Sequence, residues 1–391
     1  MSEKKRILLM SDGIWSPTGF ACVIKNLIKN LKDEYECAIL SWQYVGNVLK
    51  YDGITIYPIG SHQFGKDTFE FVANHFKPDI LITYGDFWMV NYLGNERFQA
   101  VLKKNNTKWL WYCPIDSDIV PIAFESILKV PDELILSSKD GKRVVDALGI
   151  KNVYIPHGVN IEEFKPLANR DELRAKEGYT DKFVIGSVAR NQDRKQLPRL
   201  MEAFSLFAKD KDDVVLHMHC DPFDPANMIP DYNGSSYSVL LQAMHTFKID
   251  KMTNFTKNLS SYINGFNEDG MSLVYNLFDV HGLSTSGEGF GIPIIESEAC
   301  GIPNVMTDFT TARELVYGRG EVCKVSAKIF GAFGSNRAIV DVSDMAAKFE
   351  LLYNDRDKLS SYSKDCVEFA KGYDWKVVMK DWRELLDKYV C

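Results

Sequence analysis

The sequence predicts an α/β protein of two successive units, each a parallel sheet with helices on both faces. Three observations carry this. Short apolar runs of β-forming residues alternate with amphipathic helical stretches from the start of the chain. That rhythm stops at a polar, charged stretch, 169–182, and restarts at Phe183. The 391 residues, 46% of them apolar, exceed what one ordinary core holds and suffice for two.

Arg6–Ser11 reads as the first strand, followed by a loop and an amphipathic helix over Ala21–Leu31, a βα unit. Further strands are expected at Glu36–Trp42, Ile54–Pro58, Asp79–Thr83, Lys108–Tyr112, Glu133–Leu136 and Val153–Ile155. After the polar stretch come a strand at Phe183–Val188, a helix at Lys195–Ala208, strands at Val214–Met218, Phe278–Leu283 and Ile302–Met306, and a last helix within Asp374–Tyr389. Residues 221–261 contain Pro222, Pro225 and Pro230 and a weakly periodic remainder, so no element is assigned there. The pattern splits the chain into domains 1–168 and 169–373, each Rossmann-like.

A net charge of -7 disfavours a general nucleic-acid binder. The eight cysteines show no CxxC pair, as expected of reduced thiols in a cytoplasmic protein. No apolar run is long enough for a signal core or a membrane span. Ala21–Leu31 carries Lys25, Lys29 and Lys32 beside its apolar face, as a helix lying on a membrane surface would, but an ordinary Rossmann-type helix looks the same and is the preferred reading.

Ser284 to Gly301 holds the densest chemistry. It follows a strand and opens a helix, with Gly287, Gly289 and Gly291 allowing close backbone approach and Pro293 suited to the first turn. Free N–H groups and the positive end of the helix dipole then face an anion such as a diphosphate. Glu288 precedes this helix and Glu296 lies within it; both can accept hydrogen bonds from sugar and ribose hydroxyls. A second segment, Gly186 to Lys195, places Arg190 and Lys195 at the end of a strand, where two cations could neutralise a departing diphosphate. Taken singly, the first segment is a turn and the second a solvated basic loop.

Together they resemble GT-B glycosyltransferases, in particular family 4, the glycosyl transferases group 1. Glu288 and Glu296, with seven residues between them, match the family's paired glutamates, and Ala299-Cys300-Gly301-Ile302-Pro303 its usual continuation. Arg190 and Lys195 match its diphosphate-binding arginine and lysine, although Gln196 stands where the family often has glycine, a change expected to be tolerable on a helix. Glu268–Asn276, Glu314, Pro156-His157-Gly158-Val159-Asn160 and the Tyr373-Asp374-Trp375 ending also resemble family features.

The resemblance implies two Rossmann-like domains facing each other across a cleft. Residues 1–168 would bind the acceptor, 169–373 the nucleotide sugar, and a helix at about 374–391 would pack back on the first domain. The implied reaction is retaining transfer of a hexose-type sugar from a UDP- or GDP-linked donor to an acceptor hydroxyl of a glycan, lipid-linked, protein or nucleic-acid molecule. Donor contacts fall on Gly19, Arg190, Lys195, Glu288, Gly289, Phe290, Gly291, Ile292 and Glu296, with Arg190, Lys195 and Glu288 also expected in catalysis.

Asp116 occupies the region where many relatives carry a histidine and is the candidate to orient the acceptor hydroxyl or take its proton. Asp86, Trp88 and His157 complete the candidate acceptor contacts, His157 in a positional role. Asp116-Ser117-Asp118 also fits an Asp-x-Asp cation motif, yet Arg190, Lys195 and a helix N-terminus already supply positive charge, so no obligatory divalent metal is expected. His217 and His219 share a strand face and are read as packing rather than zinc ligands. Competing readings are a glycosyltransferase acting on nucleic-acid bases, a different nucleotide-sugar reaction on the same fold, and a degenerate binding module without catalysis.

Overall fold

A computed structural model describes residues 4–257, 259 and 265–389. The contacts divide the chain into two compact units, 1–158 with 375–391 and 159–374. The division thus falls before residue 168. Residues 159–168 are tied to the second unit: Val159 bridges Asp374, and the Leu167 N–H donates to Asn276 Oδ1 at 3.0 Å.

Among the described residues the first unit carries an eight-stranded sheet. Its strands are β1 (Arg6–Asp12), β2 (Glu36–Trp42), β3 (Leu49–Tyr51), β4 (Ile54–Pro58), β5 (Ile80–Tyr84), β6 (Lys108–Cys113), β7 (Glu133–Leu136) and β8 (Val153–Tyr154). They lie in the order β3-β4-β2-β1-β5-β6-β7-β8, all parallel except the β3–β4 edge pair. Ile7, Leu8, Leu9 and Met10 are all fully buried, which requires cover on both faces of the sheet and explains the unbroken apolar run. The helix Gly19–Leu31 supplies part of it, burying Ala21, Val23, Ile24, Leu27, Ile28 and Leu31. Its apolar face therefore belongs to the core, and the membrane-surface reading of this helix falls away.

The last helix, Trp375–Asp387, returns to this unit. Its buried residues Trp375, Val378, Met379, Trp382, Leu385 and Leu386 recur at helical spacing. Trp382 meets the Tyr112 ring edge-on at 5.1 Å, and Arg383 pairs with Glu34 at 2.7 Å. Gly158 is required where the chain leaves the unit, because a Cβ there would stand 2.4 Å from the Trp375 ring.

The second unit's main sheet uses β9 (Phe183–Val188), β10 (Val214–His219), β13 (Thr253–Phe255), β14 (Val280–Leu283), β15 (Asn304–Thr307) and β16 (Glu321–Cys323), in the order β13-β10-β9-β14-β15-β16 and parallel throughout. Two antiparallel hairpins add to it: β11 (Met228–Pro230) with β12 (Ser236–Ser238), and β17 (Val325–Phe330) with β18 (Asn336–Val340). The unassigned stretch thus holds a hairpin, a helix (Val239–Thr246) and an edge strand, with residues 258, 260 and 261 outside the described residues. Among the described residues no helix is long and apolar enough to cross a membrane.

Trp382→Ala is expected to destabilise the first unit by about 3–5 kcal/mol, since it empties a fully buried indole site. A lower urea midpoint of the variant checks this; an unchanged midpoint would show that the helix adds little to this core.

Candidate active site

β14 ends at Leu283, and the following loop, 284–291, leads into the helix Ile292–Ala299. Gly291 precedes that helix at φ 94°, a left-handed conformation open to glycine, and no side chain caps the N-terminus. The loop is locked to the segment after β9. The Ser286 N–H donates to Arg194 O at 2.8 Å, and the Ser284 hydroxyl to Lys195 O at 2.8 Å. Arg194 also donates to Gly287 O.

Glu288 is buried between two cations: Lys195 Nζ lies 2.5 Å from Oε1 and an Arg194 nitrogen 3.2 Å from Oε2. Burial pushes its carboxyl up, but Lys195 and Arg194 more than offset this and hold it at about 2, so it is an anion. The Glu288 N–H donates to Thr310 Oγ1 at 3.0 Å. Arg194 and Thr310 were not singled out from the sequence, because only tertiary contact reveals them.

Arg190 is held by Asp224, Nε to Oδ2 at 2.7 Å, and Asp224 is completely buried. The neighbouring Asn191 is also buried and its Oδ1 accepts from Asn227 Nδ2 at 2.9 Å. Both partners belong to the stretch left unassigned in the sequence. Arg190 and Lys195 are therefore each seated against a carboxylate.

Glu296, eight residues beyond Glu288, has the opposite character. Burial lifts its carboxyl to about 8, even though the Tyr275 hydroxyl donates to Oε2 at 2.8 Å and works against the rise. At neutral pH it is predominantly a protonated acid. The Phe290 side chain is buried against Tyr373, ring centroids 6.0 Å apart, so it anchors the loop and only its backbone is suited to a ligand. Ile292 and Gly289 are partly exposed beside it.

Gln196 departs from the expectation of a helical position. It lies just before the helix Leu197–Phe207 at φ 48° and ψ 37°, left-handed backbone that glycine adopts without strain. Its side chain compensates by donating to Ala338 O on β18 at 2.7 Å.

In the first unit, Asp86 and Asp116 follow β5 and β6, adjacent strands, and both stand near Cys113. The thiol is raised first by burial and then by these two carboxylates. Asp12, at the end of neighbouring β1, adds a third carboxylate at this sheet edge, where it accepts from Thr18 Oγ1 at 2.6 Å and Gln43 Nε2 at 3.1 Å. Trp88 meets Phe64 edge-on at 5.1 Å, and Gly19 is exposed at the start of its helix.

His157, expected beside the acceptor in a positional role, sits inside the first unit. It is buried, with the Tyr84 hydroxyl 2.8 Å from Nε2 and the Tyr112 hydroxyl 2.5 Å from Nδ1. Tyr112 donates to Ile155 O at 3.0 Å, so it accepts from Nδ1–H and Tyr84 donates to Nε2. Burial lowers His157 to about 3 and keeps it neutral, so it braces the end of the sheet through both ring nitrogens. His217 and His219 are both buried and engaged in hydrogen bonds. His217 lies between the hydroxyls of Tyr179 and Thr256, at 2.7 and 2.9 Å, and His219 shares Thr256 at 3.0 Å. Among the described residues no group of three or more His, Cys, Asp or Glu side chains could hold a metal ion.

Residues 169–365 match the family model for glycosyl transferases group 1. No curated protein matches the sequence. Among solved structures the chain is similar to sucrose-phosphate synthase (tll1590) from Thermosynechococcus elongatus, with 14% identity, a TM-score of 0.76, and 98% of this chain and 99% of that chain covered. It is similar to Anabaena Alr3699/HepE in complex with UDP-glucose, with 16% identity, a TM-score of 0.73, and 99% and 100% covered. A glycosyltransferase from Rickettsia africae ESF-5 gives 14% identity, a TM-score of 0.72, and 100% and 99% covered. At these identities the likeness shows the fold, which is the GT-B type.

Gln196→Ala is expected to be less stable than Gln196→Gly by about 1 kcal/mol, because alanine keeps the left-handed backbone without the bond to Ala338, whereas glycine relieves the strain. Urea unfolding of the two variants measures the difference, and equal stability would refute a strained position.

Proposed function

The chain belongs to the glycosyl transferases group 1 family, making it a glycosyltransferase, and from that premise we propose retaining transfer of a hexose from a UDP-sugar to an acceptor hydroxyl. The observation that carries the donor assignment is the buried Glu288 carboxylate paired with the partly exposed Lys195 and Arg194 at an uncapped helix N-terminus. Two cations share one carboxylate there, leaving one unit of positive charge for a diphosphate. The choice of UDP over GDP follows the HepE relative, whose structure holds UDP-glucose.

In this reading Lys195, Arg190 and the backbone at Gly289, Gly291 and Ile292 receive the diphosphate. Charge growing on the leaving group then meets donors already in place, so little reorganisation accompanies bond cleavage. Glu288, ionised and fixed by two cations, grips the sugar hydroxyls. Glu296 reads the ribose hydroxyls as a neutral acid. On the acceptor side, Asp116 takes the hydroxyl proton and Asp86 and Trp88 shape its surroundings. Retention at the anomeric carbon comes from the family. No divalent metal is required, because the cationic side chains do its work.

Lys195→Ala and Glu288→Gln are each expected to reduce turnover of UDP-glucose by about 100-fold or more, with folding retained. A coupled assay of UDP release checks this, and near-normal rates would remove both residues from the site. Excess chelator leaves the wild-type rate unchanged; loss restored by manganese would overturn the metal-free mechanism. Thermal stabilisation by UDP-glucose greater than that by GDP-mannose supports the donor choice, and the reverse order reverses it.

The pH dependence separates the two glutamates. Donor affinity of the wild type is expected to change as pH crosses about 8, where Glu296 loses its proton. Glu296→Gln should abolish that change and retain affinity near pH 7, because glutamine resembles the neutral acid. Calorimetric titration with UDP at pH 7 and 9 reads both.

A further inference from the structure

The β17–β18 hairpin ends in an uninterrupted apolar run, Ile329-Phe330-Gly331-Ala332-Phe333. Its three large side chains face solvent: Ile329 is 51% exposed, Phe330 79% and Phe333 60%. The register assigns them to different directions. Ile329 pairs with Arg337 on one face, Phe330 pairs with Asn336 on the other, and Phe333 sits in the connecting turn. The tip thus presents a large apolar side chain on each face and in the turn, with Arg337 and Asn336 opposite Ile329 and Phe330.

The turn is well formed. The Gly331 N–H donates to Ser335 O at 2.7 Å, and the Ser335 hydroxyl to Ala332 O at 2.9 Å. Phe333 is nevertheless held at φ 58°, where a bulky residue is strained and glycine or asparagine at ease. An aromatic ring is thereby presented outward where a small polar residue would fold more comfortably.

Charge accompanies this tip. No acidic residue occurs between Glu321 and Asp341, whereas Lys324, Lys328 and Arg337 all fall there, in a protein of net charge -7. Lys328 shares the Phe330 face, two residues back, and Arg337 shares the face of Ile329. At about 3.3 Å per residue Lys328 stands about 7 Å behind Phe330, Arg337 lies directly across from Ile329, and Lys324, beside Asp344 at 3.8 Å, is about 20 Å from the end.

We propose that this hairpin inserts end-on into the interface of an anionic lipid bilayer, with Ile329, Phe330 and Phe333 among the upper acyl chains and Lys328 and Arg337 at the level of the head groups. A lipid interface accepts apolar side chains that point to both faces and out of the turn while leaving the flanking cations among charged head groups, whereas a flat protein surface meets one face only. Two such tips meeting would bring like charges together. The strands reach back to the donor loop, since the Ala338 N–H donates to Ser286 O at 3.1 Å and Ala338 O accepts from Gln196, so the anchor and the site share one framework.

The test is co-sedimentation of the full chain with vesicles of phosphatidylcholine alone and with about 30% phosphatidylglycerol. The wild type is expected to pellet with the anionic vesicles, and to be released at about 0.5 M salt. The Phe330→Ser/Phe333→Asn pair should weaken binding about tenfold or more; asparagine suits the left-handed turn, so folding is retained, and an unchanged melting temperature confirms it. Lys328→Gln/Arg337→Gln should abolish the preference for anionic vesicles. Failure of the wild type to pellet, equal binding to neutral vesicles, or wild-type binding by the Phe330/Phe333 variant would each overturn the proposal.

Discussion

The buried carboxylate of Glu288 is the constraint around which the second unit's site is arranged. An isolated anion at that depth would be forced to take up a proton, because burial alone costs several kcal/mol of solvation. Lys195 and Arg194 reverse that outcome, and their attraction holds only while both loops keep their shape. Those loops are pinned by neutral bonds as well, Ser286 N–H to Arg194 O and Ser284 Oγ to Lys195 O. The ion trio and the backbone lock are therefore mutually dependent. Removing one cation leaves the anion underpaired and loosens the clamp that presents the glycines.

The same dependence runs outward to features that look unrelated in sequence. Left-handed Gln196 is strained by its own backbone, yet its amide ties the start of the helix Leu197–Phe207 to β18. Ala338 gives both of its backbone groups to this region, one to Gln196 and one to Ser286. On the other side, Asp224 reaches Arg190 from the segment following β10, and Asn227 reaches Asn191 from the same segment. Two excursions from the parallel sheet thus buttress the loops that carry the cations.

These relationships mark the limit of what the sequence shows. β2, β4, β7 and β9 were legible to the residue, since fully buried parallel strands are continuous apolar runs, and the last helix was legible because Trp375, Val378, Trp382 and Leu386 keep helical spacing. The loop at 284–291 and the helix after it were legible because Gly287, Gly289, Gly291, Pro293, Glu288 and Glu296 form an uncommon pattern. Edge strands of three residues, such as β3 and β13, are too short to show a period, and β17 is broken by a bulge between Val325 and Ala327. The pairing of Arg190 with Asp224 spans 34 residues, and that of Arg194 with Glu288 links different loops; neither has a local signal. The environment of His157 has no local signal either. Only the tertiary contacts with Tyr84 and Tyr112 show that both of its ring nitrogens are hydrogen-bonded.

The two glutamates illustrate how one spacing yields two chemistries. Both are buried, and burial raises both carboxyls; what differs is the company each keeps. Glu288 meets two cations, whereas Glu296 meets one tyrosine hydroxyl and the more distant charge of Glu268. A hydroxyl donor offsets only part of the desolvation that two full charges reverse. Glu288 is consequently fixed as an acceptor beside the cations, and Glu296 keeps a proton it can donate. A ligand with hydroxyl groups at both ends of a diphosphate would meet an acceptor-only group at one end and a group able to donate at the other. That polarity makes the motif directional, and it arises from the neighbours of the glutamates rather than from the glutamates themselves.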